Sequence, residues 1–336
     1  MKAIQFLGMT AFMAAMLTGC SNDSDLAHSN FPDDNIIRVT AGVNGAVTRA
    51  ETLGTELNSN FKFSLTVVNE NEGTNKYTYI NKIFKKTGTG TEWSCSDILL
   101  WQNAETPVAV AALAPVIDSW EFNNIYSNQD KFKIMECSIS ENQNPHKPEN
   151  DLLYYYESNL VPKTALNSDG KLNIQFNHAF SMIDIIVTLG TEYSSKKDNP
   201  INEVIVGGSK KWATLDITNS NSKGVAYASP EPNPEIDIIT TPGTFTKATA
   251  DQPNSTAEFS CILIPQTIDA NKFKVTLMTS SKTYVWTSPD AITLKTGNRY
   301  TLKLKMGKDV VTAQNGNISA GSWTEGTESG STLGTK

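Results

Sequence analysis

The sequence is poor in the residues that most often carry chemistry. Its three histidines, His28, His146 and His178, are far apart in the chain. Neither G-x-S-x-G, H-E-x-x-H, a P-loop nor G-x-G-x-x-G occurs, and no pair of carboxylates makes an acid/base site. The expectation is therefore a chain that is not an enzyme and carries no cofactor and no metal. Cysteine is equally scarce. Once Cys20 is set aside, Cys95, Cys137 and Cys261 remain, an odd number without CxxC spacing, so neither a disulfide framework nor a zinc site is indicated. Cys137 alternates with Met135 and Ile139, and Cys261 with Phe259 and Leu263, as small buried hydrophobes do. Positive charge is in deficit: 28 basic residues against 35 acidic ones leave a net charge of −7, which argues against a nucleic-acid partner. After the first twenty residues no apolar run reaches the ~20 residues of a membrane-spanning helix. Long, capped helical periods are missing as well.

Hydrophobic residues at 39% and charged residues at 19% are compatible with a folded chain, and 336 residues suit about two domains of ~100–200 residues each. Lys2 and the apolar stretch Ala3 to Leu17 have the build of a secretory signal. The stretch closes in Leu17-Thr18-Gly19-Cys20, which resembles the bacterial lipobox, with small residues admitting the peptidase and the Cys20 thiol as the acylation point. A signal peptide over 1–20 and a lipid on Cys20 follow, the lipid tying the precursor to the outer membrane through more than one acyl chain. The acidic run Ser21-Asn22-Asp23-Ser24-Asp25 looks like the tether that some outer-membrane lipoproteins use to reach the cell surface.

The body of the chain alternates at period two. Phe61, Phe63, Leu65 and Val67 face one way and Lys62, Ser64 and Thr66 the other. The pattern returns at Leu172, Ile174 and Phe176, at Ala213, Leu215 and Ile217, at Phe273, Val275 and Leu277, and from Tyr300 to Met306. Asn44-Gly45, Asp169-Gly170 and Asn315-Gly316 are dipeptides that accept positive φ and close hairpins. Strands without crossover helices predict an all-β chain of two tandem antiparallel β-sandwiches. The division is placed near residue 165, giving 50–165 and 166–336. Ser229 to Thr241, with Pro230, Pro232 and Pro234, reads as an extended excursion within the second sandwich, and Thr324 to Lys336 as a flexible tail. Ile37, Val39, Ala41 and Val43 alternate with polar residues and predict a strand of the first sandwich.

Arginine is rare. Arg38 and Arg299 fall inside predicted strands, whereas Arg49 follows a turn signal in a predicted loop. A surface arginine after a turn is one reading of Arg49. An exposed site for an arginine-selective protease, cutting between Arg49 and Ala50, is the other.

The order of several short motifs resembles the fimbrillin family, the type V pilus subunits of Bacteroidales. They are the lipobox, Val47-Thr48-Arg49-Ala50, Trp93 with Trp101 ahead of Val108 to Pro115, and Asp151-Leu152-Leu153-Tyr154. Phe176-Asn177-His178-Ala179-Phe180-Ser181 then leads into Ile183-Asp184-Ile185-Ile186-Val187, followed by Gly297-Asn298-Arg299-Tyr300-Thr301-Leu302 and the ending from Ile318 to Trp323. The resemblance implies transthyretin-like, Greek-key sandwiches and a propeptide over 21–49. It also implies an Arg-specific protease that acts at Arg49 and removes the strand of Ile37, Val39, Ala41 and Val43. Taking away an inner strand would leave a hydrophobic groove with unpaired backbone groups, which a neighbouring subunit could fill by strand addition, giving a head-to-tail fimbria at the cell surface. The partners so implied are other pilus subunits, the protease, and host or bacterial surface ligands. The candidate donor segment is a C-terminal hairpin carrying Val310, Val311, Ile318 and Trp323. The residues beyond Trp323 are too polar to add anchors, which leaves stalk, tip and anchor roles open. The alternative is a surface lipoprotein that does not polymerise, either a pilus anchor or a glycan-binding adhesin with Tyr154, Tyr155, Tyr156, Trp120 and Trp212 as a stacking platform. His178 reads as a satisfied structural residue and Asp184 as a carboxylate on a solvated strand face.

Overall fold

The computed structural model describes residues 30–44, 61–69, 76–86, 92–116, 132–145, 150–218, 225–314, 318–322 and 331–332. Eight described strands precede residue 180: β1 (Val39–Val43), β2 (Lys62–Val68), β3 (Tyr79–Lys86), β4 (Trp93–Cys95), β5 (Val108–Ala114), β6 (Lys133–Ser138), β7 (Leu153–Leu160) and β8 (Leu172–His178). One helical turn, α1 (Pro162–Ala165), joins β7 to β8. All but β6 form a single sheet in the order β1-β8-β7-β5-β2-β3-β4.

Apolar side chains of this sheet point to both of its faces. In β5 every residue is buried. Val108, Val110, Ala112 and Ala114 enter a core with Phe63, Leu65, Phe84, Trp93, Ile174 and Phe176. Ala109, Ala111 and Leu113 enter a second core that continues into the C-terminal half. The first core is closed because the sheet rolls on itself: its two end strands approach one another, and Ile36 bridges to Leu100 just beyond β4. Rolling removes the two exposed edges that a flat sheet would leave.

Fifteen further described strands follow: β9 (Ser181–Leu189), β10 (Ile201–Lys210), β11 (Trp212–Asp216), β12 (Val225–Ala228), β13 (Glu235–Ile239), β14 (Thr241–Thr246), β15 (Thr256–Leu263), β16 (Thr267–Ile268), β17 (Lys274–Thr279), β18 (Thr283–Thr287), β19 (Ile292–Thr293), β20 (Asn298–Met306), β21 (Val311–Ala313), β22 (Ser319–Ser322) and β23 (Ser331–Thr332). The sheet β14-β15-β9-β20-β22-β23, with β21 also on β20, and the sheet β13-β10-β17-β18 send alternating residues into the second core. The chain is all-β, and no helix among the described residues is long and apolar enough to cross a membrane.

Several expectations are corrected. Among the described strands two pairings are parallel, β1 with β8 and β9 with β20. Their partners are remote in the chain, so no short hairpin imposes antiparallel polarity. Sheet membership changes between His178 and Ser181, and β6 pairs with β11 rather than with the first sheet. The proline-rich stretch is an excursion only as far as Pro234, because Ile236 and Ile238 alternate into the core as β13. Asn44 does not lead into a hairpin between β1 and β2, which are not neighbours. Asp169-Gly170 does sit in a tight turn, with Gly170 at φ 69° and Leu166 bridged to Leu172. Asp184 is half-buried and held by both Nε and Nη2 of Arg299, so the face that it shares is neutralised rather than open to solvent. Ser331 and Thr332 of the predicted tail pair with β22, and the rest of that tail lies outside the described residues.

Candidate strand-exchange site

Residues 35–44 form the seam at which the first sheet closes. On one flank the Arg38 carbonyl accepts the Leu172 N–H at 2.8 Å, and β1 runs parallel to β8 from Val39 opposite Leu172 to Val43 opposite Phe176. The Asn44 N–H donates to the Phe176 carbonyl at 2.7 Å, and its side-chain amide to Asn177 Oδ1 at 3.0 Å. On the other flank, Ile37 N–H donates to Leu99 O and Trp101 N–H to Asn35 O, each at 2.8 Å. Ile37 and Val39, at 4% and 3% exposure, are inside the first core, and Ala41 and Val43 are half-buried against it. β1 is thus the terminal member of its ladder, not an inner strand, yet its lead-in bonds the opposite end of the same sheet. Withdrawing the segment would expose two rows of backbone groups and open the core between them.

The lead-in is shaped by Asp34. Its carboxylate accepts the Ile36 N–H at 3.0 Å and pairs with the Arg38 guanidinium, Nη1 to Oδ1 at 2.9 Å, while Asn35 adopts φ 55°, a conformation that asparagine tolerates. The Arg38 bond first, and the Ile36 amide second, hold the Asp34 carboxyl well below its usual value of 3.8, at about 2. A depressed carboxyl contributes its stabilisation above the unfolded-state value and loses it as pH falls through the folded one. The Ile36 amide resonance should therefore stay constant down to about pH 4 and move with a midpoint near 2. A midpoint at 3.8 would show that the pair does not form in solution. The pair is solvent-exposed, so added salt should weaken it.

At the other end of the chain, β21 and β22 lie in line along the same side of β20, Val311 opposite Met306 and Ser319 opposite Thr301. They do not pair with each other as a hairpin. Val311 and Ile318 are buried in the second core, whereas Val310 is exposed. The candidate donor strand is thus docked on its own chain. Tyr154 and Tyr156 point to the second core and Tyr155 to the first, so alternation along β7 splits the proposed tyrosine platform between two faces of one sheet. Trp212 is half-buried in β11. Cys20, Arg49, Ala50, Trp120 and Trp323 lie outside the described residues.

Three of the quoted motifs meet in space. Phe176 enters the first core and Phe180 the second, and between them His178, the last residue of β8, binds buried Asp151 through Nδ1 at 2.8 Å. Ser181 Oγ donates to the Lys295 carbonyl at 2.8 Å, and Gly297 N–H to the Phe180 carbonyl at 3.0 Å. Gly297 takes φ 66°. These motifs form the junction between the sheets. Asp34, Asn35, Leu99 and Asn177 were not singled out as seam residues from the sequence. The spacing of Asp34 and Arg38 is the one local sign of them.

Residues 48–323 match the model of the fimbrillin-like family, and the chain belongs to that family. No curated protein matches the sequence. Among solved structures it is similar to a candidate cell adhesion protein of Bacteroides ovatus, at 18% identity and a TM-score of 0.56 over 84% of this chain and 96% of that one. A candidate cell adhesion protein of Bacteroides uniformis aligns at 14% identity and a TM-score of 0.56, covering 87% of this chain and 100% of that one. A fimbrial protein of Bacteroides vulgatus aligns at 14% identity and a TM-score of 0.51, covering 85% and 99%. At such identities the likeness is one of fold.

Proposed function

We propose that the chain is a subunit of a fimbria-type surface appendage, made as a Cys20-lipidated precursor and activated by cleavage between Arg49 and Ala50. The observation that carries this reading is the seam. A short segment ahead of Arg49 closes a rolled sheet through backbone bonds on both flanks and through buried Ile37 and Val39. Membership of the fimbrillin-like family supports it, as do fimbrial and cell adhesion proteins among the similar folds. Strand addition by a second subunit would restore both rows of hydrogen bonds and rebury apolar side chains at roughly 1.5–3 kcal/mol each. The described C-terminal strands are occupied at home, which favours a subunit that accepts a strand.

N-terminal sequencing of material sheared from cells tests the reading. The expected first residue is Ala50. A blocked, lipidated Cys20 on a monomer would replace it with the anchor or the non-polymerising lipoprotein.

A further inference from the structure

Where the two sheets meet there is a cleft of about 610 Å³, within the size range of small-molecule sites. Asn177 and His178 line it from the end of β8, Tyr227 from β12, and Gln266, Thr293 and Lys295 from the segments around β16 and β19. We propose that this cleft binds a saccharide that carries a carboxylate.

The lining decides the ligand class. Gln266 spends its amide N–H donors within the fold, on Ser209 Oγ and the Ile264 carbonyl, whereas the Asn177 amide N–H groups and the mutually bonded Thr267 and Thr293 hydroxyls keep hydrogen-bonding capacity that suits sugar hydroxyls, each of which is both donor and acceptor. Tyr227 is 44% exposed and its side chain makes no hydrogen bond among the described residues, so its ring is available for the apolar C–H face of a pyranose. No Asp or Glu lines the cleft, and the Lys295 ammonium has no partner among the described residues, in a chain whose net charge is −7. A carboxylate would supply that partner. A phosphate or a nucleotide calls for several cations or a nest of backbone N–H groups, and the lining offers one lysine.

The site is also built before any ligand arrives. Lys295 N–H donates to buried Tyr300 Oη at 2.9 Å, and its carbonyl accepts from Ser181 Oγ, so the backbone beneath the free ammonium is fixed. Thr296 Oγ1 accepts the Ala226 N–H at 2.9 Å and donates to the Ala226 carbonyl, fastening β12 and its Tyr227 to the opposite wall. Walls held in this way lose little freedom on binding. Of the lining, Asn44 and its hydrogen-bond partner Asn177 belong to the seam, and the other lining residues lie outside it.

Calorimetry on the full chain tests the proposal with two acidic oligosaccharides, one containing glucuronate and one ending in sialic acid, and a neutral N-acetylglucosamine tetramer. At least one acidic sugar should bind roughly tenfold tighter than the neutral one. Tyr227→Ala should weaken it by about tenfold, and Lys295→Gln should abolish the acidic preference, both with unchanged thermal unfolding because the two side chains are exposed. Absence of binding at about 10 mM, equal affinity for acidic and neutral sugars, or affinity unchanged in both variants would each overturn it.

Discussion

Chains carrying Arg49→Ala should reach the cell surface folded and lipidated yet be absent from any polymer. The expectation rests on how the other arginines are held. Arg38 is paired with Asp34, and its carbonyl is bonded to Leu172 in the seam. Arg299 lies within β20 and is paired with half-buried Asp184. A protease needs several residues of extended, unpaired backbone, and neither position offers them. Removing the one remaining arginine should therefore lower the yield of sheared polymer by orders of magnitude rather than by a fraction, while circular dichroism of the retained precursor is unchanged. Polymer at the wild-type level in this variant would eliminate the proteolytic step.

The second large effect is expected from Val39→Asp. Val39 is 3% exposed and packs in the first core, and the nearby guanidinium of Arg38 is already engaged by Asp34. A carboxylate there is buried without a partner, or else drags the segment off its seat. Either outcome should cost the precursor about 3 kcal/mol or more. Urea unfolding should show a lower midpoint, and the amides of residues 172–176 should lose protection from exchange. Thr40→Ala is the control. Thr40 is half-buried and its hydroxyl bonds Asn173, so its loss should cost about 1 kcal/mol. A Val39→Asp precursor as stable as wild type would mean that the seam contributes nothing to closure.

The local alternation that predicts strands is legible wherever one face meets a core and the other meets water, as in β8 and β20. It fades in β5, where both faces are covered and every residue is small or apolar. Which strand neighbours which is not written locally. β1 lies beside β8 and β9 beside β20 because distant segments share a core, so turn dipeptides such as Asn44-Gly45 mislead about pairing. The same limit hides the Asp184–Arg299 pair, whose members are adjacent only through the parallel register of β9 and β20. For the seam, Ile37 and Val39 stand out as apolar alternation. Their partners at Leu99–Trp101 do not, because that stretch bonds through its backbone, to which any side chain contributes the same groups.

The seam has neighbours of opposite sense, antiparallel at Leu99–Trp101 and parallel at β8. An occupant that keeps both ladders must lie in one orientation only, because reversing it would mismatch donors and acceptors on each side at once. A structure grown through such insertions would be vectorial. One terminus would always present a vacancy and the other a plug, so elongation would have a single active end.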